Sequence, residues 1–253
     1  MEECIVAVIP ARYQSSRFPG KPLARINGKP MIQWVYERVS DVQEISQVYV
    51  ATDDKRIMEC VQGFNGNVIM TSSKHESGSD RIAECAEVLK LNHDDIVLNI
   101  QGDEPLIQET MIRELISTIS GIDVYMGTLK ERITNEDDIV NPNIVKVITD
   151  INDNAVYFSR HPIPYNRNGL KNLVYYRHVG VYAYRVFFLK KYTRLPKSFL
   201  ETAESLEQLR VLENGYTIKV KETDCSSIGV DTAEQLKLVE EMIKKDYIQR
   251  GIG

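Results

Sequence analysis

Arg12, Arg17 and Lys21 stand within ten residues of one another in the segment PARYQSSRFPGKPL, interleaved with Ser15, Ser16 and Gly20. A turn of this composition offers backbone N–H groups and three positive charges, which is the chemistry needed to cradle a polyphosphate. The spacing is neither GxGxxG nor GxxxxGK followed by Ser or Thr, so a nicotinamide fold and a P-loop NTPase are both unsupported. A solvated basic loop would carry the same residues. Further along, Gln101-Gly102-Asp103-Glu104-Pro105 sets two carboxylates side by side. Mg²⁺ is commonly held by one or two carboxylates together with substrate phosphates, which makes Asp103 a candidate ligand. The same residues would also begin a helix, with Pro105 in an early position. Asp231-Thr232-Ala233-Glu234 has capping-box spacing ahead of a final helix, and one carboxylate oxygen can cap while the other faces a metal. Asp53-Asp54 reads as capping alone. The stretch from Lys74 to Arg81 puts Ser77, Gly78 and Ser79 at a helix start, suited to an anion or a polar ring and equally to an ordinary capping turn. Arg160 reads as a strand-end surface residue and His178 as a hydrogen-bonded core residue unless a site claims them. No GxSxG and no Cys/His dyad is evident, so covalent hydrolase chemistry lacks support.

The elements that must position these residues follow from the apolar pattern. Continuous apolar runs at 5–9, 48–51, 68–70 and 96–100 suit parallel strands covered on both faces. Helical patterns lie between them: 31–39 behind Pro30, 54–62 behind an acidic cap, 79–89 with Ile82, Ala83, Ala86 and Leu89 on one stripe, and 109–120 ending at Gly121. This alternation predicts an α/β fold with a right-handed, doubly wound parallel sheet. Ligands bind such sheets beyond the C-terminal ends of the strands, where the Arg12 and Asp103 loops fall.

The character changes after about residue 141. Strands are expected at 144–148, 155–158 and 174–184, the last carrying Tyr175, Tyr176, Tyr182 and Tyr184. The Pro- and Gly-bearing HPIPYNRNGLKN must be loop. A helix at about 202–214 ends at Gly215, strands follow at 216–221 and 226–230, and the last helix covers 232–247. The chain therefore reads as one domain, 1–253. Residues 1–140 with 201–253 form its core, and 141–200 is a candidate insertion or small subdomain. Aromatic residues are enriched at interface cores, so the tyrosine-rich strand is the expected dimer contact.

Composition narrows the class. The chain has 253 residues, 43% hydrophobic and 26% charged, with modest Gly (14) and Pro (9), which excludes disordered and fibrous types. A net charge of −5 gives no basic face for nucleic acid or anionic membrane. Cys4, Cys60, Cys85 and Cys225 form no CxxC or Cys/His cluster, so reduced thiols in a cytoplasmic protein are expected and zinc is not. No apolar run approaches a membrane span, and the first residues lack a signal-peptide pattern.

Eight segments, IPARYQSSRFPGKPLARINGKPMI, HESGSDRIAE, NIQGDEPLI, NPNIVKVITD, YFSRHPIP, YRHVGVYAYR, ESLEQLRVLENG and IGVDTAEQL, together resemble, in order, the CMP-Kdo synthetases (3-deoxy-manno-octulosonate cytidylyltransferases). The resemblance covers nearly the whole chain. It implies a Rossmann-like nucleotidyltransferase fold, a mostly parallel central sheet with a smaller insertion and dimerisation part. It makes 1–140 with 201–253 the nucleotide-binding core and 141–200 the sugar-binding and dimerisation part. The implied reaction is CTP plus Kdo giving CMP-Kdo and pyrophosphate, a step toward lipopolysaccharide or capsule, run by a cytoplasmic homodimer. By position, Arg12 and Lys21 match the triphosphate contacts, and Ser77 and Arg81 the cytidine side, with Gln101 and Asp103 also in the CTP set. Asp103 and Asp231 match the acidic pair that holds Mg²⁺. Arg17, Gln101, Arg160, His178, Tyr182, Glu207 and Gln208 match the sugar-acid side, and Arg12, Lys21, Asp103 and Asp231 carry catalysis. Ser79 replaces a usual Thr, and His161-Pro162 stands where small residues are common, which bears on the sugar pocket. No protein general base is evident. An 8-amino-Kdo or nonulosonic acid substrate would keep the reaction, and a CTP-binding protein without catalysis would keep only the nucleotide site.

Overall fold

The computed structural model describes residues 3–14, 18–75, 77–121 and 123–249. The elements in order are β1 (Ile5–Ala11), β2 (Arg25–Ile26), β3 (Lys29–Pro30), α1 (Met31–Ser40), β4 (Gln47–Thr52), α2 (Lys55–Gly63), β5 (Val68–Met70), α3 (Gly78–Val88), β6 (Ile96–Asn99) and α4 (Glu109–Thr118). There follow β7 (Met126–Arg132), α5 (Glu136–Val140), β8 (Lys146–Thr149), β9 (Ala155–Ser159), β10 (Tyr176–Arg185), α6 (Val186–Tyr192), α7 (Phe199–Glu204), α8 (Leu209–Glu213), β11 (Lys219–Thr223) and α9 (Ala233–Gln249). The chain divides into two compact units, one running through Arg113 and resuming at Ser226, the other Glu114–Cys225. The second contains all of 141–200 and extends beyond it on both sides.

In the first unit β1 pairs in parallel with β4 on one side and β6 on the other, and β5 continues beyond β4. The order β5-β4-β1-β6 reverses direction between β1 and β6, which makes that gap the topological switch point. Val6, Ala7, Val8 and Ile9 of β1 and Val97 and Leu98 of β6 are fully buried, as their continuous apolar runs require. Asp54 caps α2 by accepting from the Arg56 N–H at 2.9 Å. The Asn27-Gly28 pair, both residues with positive φ, turns the two-residue hairpin β2–β3. Ile26, Met31 and Trp34 pack there with Val230, Val239 and Ile243, bringing α9 to this end of the unit.

The second unit is built on β7, which pairs in parallel with β11 and antiparallel with β10; β8 and β9 form a hairpin whose first strand meets β10 at Arg177. β7 had no apolar run to reveal it. Gly127 passes Thr118 so closely that a Cβ would lie 1.7 Å from its Oγ1, and Lys130 buries its stem while its ammonium donates to the Thr149 hydroxyl at 2.8 Å. Two expectations change here. The single helix at 202–214 is two, because Ser205 adopts a left-handed φ of 53° between α7 and α8. The segment 226–230 is extended but makes no ladder. Its groups are met singly: the Val230 N–H donates to the Asp103 carbonyl at 2.9 Å, and the Ser226 carbonyl accepts from Gln108 at 3.2 Å.

Candidate active site

Three sequence-distant residues meet beyond the C-terminal ends of β1 and β6. Lys21 lies in a single 3₁₀ turn, Lys21–Leu23, entered through Gly20 at φ 73°. Its Nζ donates to Asp103 Oδ2 at 2.5 Å and to Asp231 Oδ1 at 3.1 Å. Burial by itself would lower the Lys21 pKa; the charges of Asp103 and Asp231 and the hydrogen bonds to them outweigh it, so the pKa is raised and the ammonium stays charged. The cluster borders a cavity of about 400 Å³ lined also by Arg12, Gln14, Gln101 and Gly102. Gly102 permits the β6 loop to approach β1, since a Cβ there would sit 3.0 Å from the Pro10 carbonyl oxygen. Gly229 does likewise beside Glu104, whose carboxylate accepts from the Ser227 hydroxyl.

Asp231 was expected to share its carboxylate with helix capping in a box with Glu234. The box is instead one residue on. The Thr232 hydroxyl accepts from the Gln235 N–H at 3.3 Å, and Gln235 Oε1 accepts from the N–H groups of Thr232 (3.0 Å) and Asp231 (2.7 Å). The T-x-x-Q spacing at 232–235 is the signal that identifies it. With Thr232 as the cap, the Asp231 carboxylate reaches Lys21. The donor set suits Mg²⁺: two carboxylates converge on one cation, here an ammonium. Among the described residues no group of three or more His, Cys, Asp or Glu forms a closed cage.

On the nucleotide side, Ser77 caps α3 by accepting from the Asp80 N–H at 3.0 Å. Arg12 donates to the carbonyls of His75 (2.8 Å) and Ser77 (3.0 Å), tying the β1 loop to this turn. Arg81, expected to face cytidine, is fully buried; it donates to Asp53 at 3.0 Å and to the Thr71 hydroxyl, so it builds the turn from behind. Asp53, read as capping alone, is the partner that holds it. Arg17 lies outside the described residues. Gln101 lines the cavity and donates to the Asn99 side chain at 3.1 Å.

The other sugar-side residues belong to the second unit. Arg160 uses its guanidinium on backbone: Nε donates to the Glu204 carbonyl at 2.7 Å, Nη1 to Pro142 at 2.9 Å and Nη2 to Ser205 at 3.3 Å. It therefore caps the C-terminus of α7. His178 donates from Nε2 to the Thr128 hydroxyl at 3.1 Å, that hydroxyl being directed at the Val179 and Val181 carbonyls. Burial, with Arg177 adjacent, pushes its pKa down to about 3, so the ring is neutral. Its ring contacts Phe158 and Tyr182, and Tyr182 stacks on Tyr184, which stacks on Tyr192. Tyr182 and Tyr184 are 9% and 1% exposed and form an internal ladder with Tyr192, while Tyr175 and Tyr176 of the same tyrosine-rich segment are half-buried. Glu207 stands near Tyr182, Tyr192 and Arg210, and Gln208 is buried with its Nε2 unpaired.

A cation-bearing loop and two carboxylates at the switch point of a parallel sheet define a nucleotidyl-transfer site. A family model described as cytidylyltransferase matches residues 6–222, and the chain belongs to that family of nucleotidyltransferase enzymes. It is similar to the 3-deoxy-manno-octulosonate cytidylyltransferases of Thermodesulfovibrio yellowstonii (52% identical over 94% of this chain and 97% of that one) and Geotalea uraniireducens (52% over 95% and 99%). It also superposes on a solved CMP:2-keto-3-deoxy-manno-octonic acid synthetase complexed with CTP, with TM-score 0.91 and 44% identity over 96% of this chain and 100% of that one.

Proposed function

We propose that the chain transfers CMP from CTP to 3-deoxy-manno-octulosonate, releasing pyrophosphate. The observation that carries this reading is the 44% identity, over the full length of the neighbour, to a synthetase of this sugar nucleotide complexed with CTP. Arg12 and Lys21 would receive the triphosphate in the cavity at the switch point, where both line the wall. Asp103 and Asp231 would hold Mg²⁺, which supplies charge neutralisation for the leaving pyrophosphate and activation of the anomeric hydroxyl. The residues around them position two anions that repel each other, and positioning with electrostatics accounts for most of the rate in phosphoryl-type transfers. Gln101, and in the second unit Arg160, His178, Tyr182, Glu207 and Gln208, match the sugar-acid side by resemblance, as does Arg17, which lies outside the described residues.

The product would feed lipopolysaccharide or capsule assembly, and the enzyme would work in the cytoplasm. Four free cysteines support a reducing compartment, and among the described residues no helix is long and apolar enough to cross a membrane. A homodimer belongs to this reading as well, and light scattering at assay concentration tests it. The test is a Mg²⁺-dependent pyrophosphate-release assay with CTP and a panel of 2-keto-3-deoxy acids. Kdo should be turned over with the highest kcat/KM. Preferential use of 8-amino-Kdo or a nonulosonic acid would reassign the sugar, and release with none of them would remove the reaction.

A further inference from the structure

Lys21 occupies the point on which Asp103 and Asp231 converge, 2.5 Å from one carboxylate and 3.1 Å from the other. Its side chain is 11% exposed, and both carboxylates are about one-third exposed, so the pair is open to solvent while the ammonium is not. Two carboxylates from loops 128 positions apart in sequence (231 − 103) would repel each other in this arrangement without a cation between them. Lys21 lines the same cavity as Arg12, Asp103 and Asp231, and its stem is flexible, so an anion bound in that cavity competes with the two carboxylates for the ammonium. We propose that Lys21 and a divalent cation are alternative occupants of the Asp103–Asp231 pair, and that a triphosphate in the cavity draws the ammonium off the carboxylates and so opens the pair to the metal. This rests on the reading that Asp103 and Asp231 are the metal ligands. It makes nucleotide and metal binding mutually reinforcing through a single side chain, because each ligand favours the same position of Lys21.

The consequence is measurable without turnover. Mn²⁺ binding to nucleotide-free protein, followed by electron paramagnetic resonance of the free ion, should be weak in the natural protein. In Lys21→Met it should be tighter by about tenfold or more, the size of an ordinary coupling between two ligands. Lys21→Arg, which keeps a cation in place, should bind Mn²⁺ as weakly as the natural protein. Should Lys21→Met fail to fold, as judged by its thermal melt, Lys21→Gln removes the charge while keeping a donor and gives the same reading. Adding Asp103→Asn to Lys21→Met should abolish the gain. If Mn²⁺ affinity falls with Asp103→Asn yet is unchanged by removing the Lys21 charge, the exchange is wrong and the metal assignment stands. If Asp103→Asn and Asp231→Asn leave Mn²⁺ affinity unchanged in every background, the metal assignment itself is wrong and the proposal goes with it.

Discussion

Lys21 and Arg160 are both cations expected to bind substrate, and the chain treats them oppositely. Lys21 is held by two carboxylates that border a cavity. Arg160 is held by the carbonyls of Pro142, Glu204 and Ser205, while its own carbonyl accepts from the buried ammonium of Lys146 at 2.6 Å. A carboxylate that loses its cation can take another, so the Lys21 cluster is exchangeable. The carbonyls that Arg160 meets are backbone groups of its own unit, two of them at the end of α7, so its guanidinium is used in holding that unit together. The first unit thus holds its cation with carboxylates at strand ends, and the second holds its guanidinium with backbone carbonyls.

The strongest way to break this contrast is to remove exchangeable charge. Asp103→Asn should lower kcat by roughly a thousandfold or more, the scale of losing a group that organises transition-state charge, while the thermal midpoint moves little. Asp231→Asn should behave in the same way. Near-normal pyrophosphate release at ordinary Mg²⁺ would remove both from the machinery.

Arg160→Lys tests the framework side. A lysine cannot reproduce three donations from one planar fork. KM for the sugar should rise about tenfold with KM for CTP nearly unchanged, and the melting temperature should fall, since charged hydrogen bonds to carbonyls are lost. A lower melting temperature with both KM values unchanged would confine Arg160 to structure.

His178 sharpens the comparison through pH. It is neutral in the folded chain, with a pKa pushed down to about 3, whereas in the unfolded chain an imidazole titrates at about 6.5. The unfolded state therefore gains a proton that the folded state refuses. This residue's share of stability is complete above about pH 6.5 and is lost by up to about 1.4 kcal/mol per pH unit as pH falls toward the folded value. Denaturant unfolding at pH 7 and pH 5 should show a smaller acid-side loss in His178→Gln than in the natural chain. Equal losses would mean that the ring is not shielded.

The smallest effect separates capping from chemistry. Thr232→Ala should cost about 1 kcal/mol of stability, a normal cap loss, with activity per folded molecule retained. If Thr232→Ala is silent and Asp231→Ala lowers the melting temperature instead, while Asp231→Asn spares it, the cap is Asp231 after all.

Much of the nucleotide site was legible because it depends on local order. Apolar runs of strand length, hydroxyls or acids before helices, and Gly20 or Asn27-Gly28 where φ must be positive all act within a few residues. They set the parallel strands and place the Arg12 and Asp103 loops at the same end of the sheet. The second unit was less legible. β7 is a central strand whose Gly127, Thr128 and Lys130 are buried through pairing on both sides, and no periodicity marks it. The break at Ser205 is likewise hidden from helix propensity; Glu201 is drawn to Arg210, at 2.5 Å, and Arg160 caps the carbonyls that the break exposes.

Residue types and spacing placed Lys21, Asp103 and Asp231 at element boundaries and gave each both a chemical and an ordinary turn or capping reading; the family resemblance chose between them. It took the tertiary structure to show that one ammonium joins both carboxylates, that Thr232 rather than Asp231 caps α9, that Arg81 is buried against Asp53, and that Arg160 is used on backbone carbonyls. The physical reason is range. Capping and turn preferences are settled by neighbours along the chain, whereas the partner a charge finds is settled by whichever loop the sheet brings within about 3 Å of it.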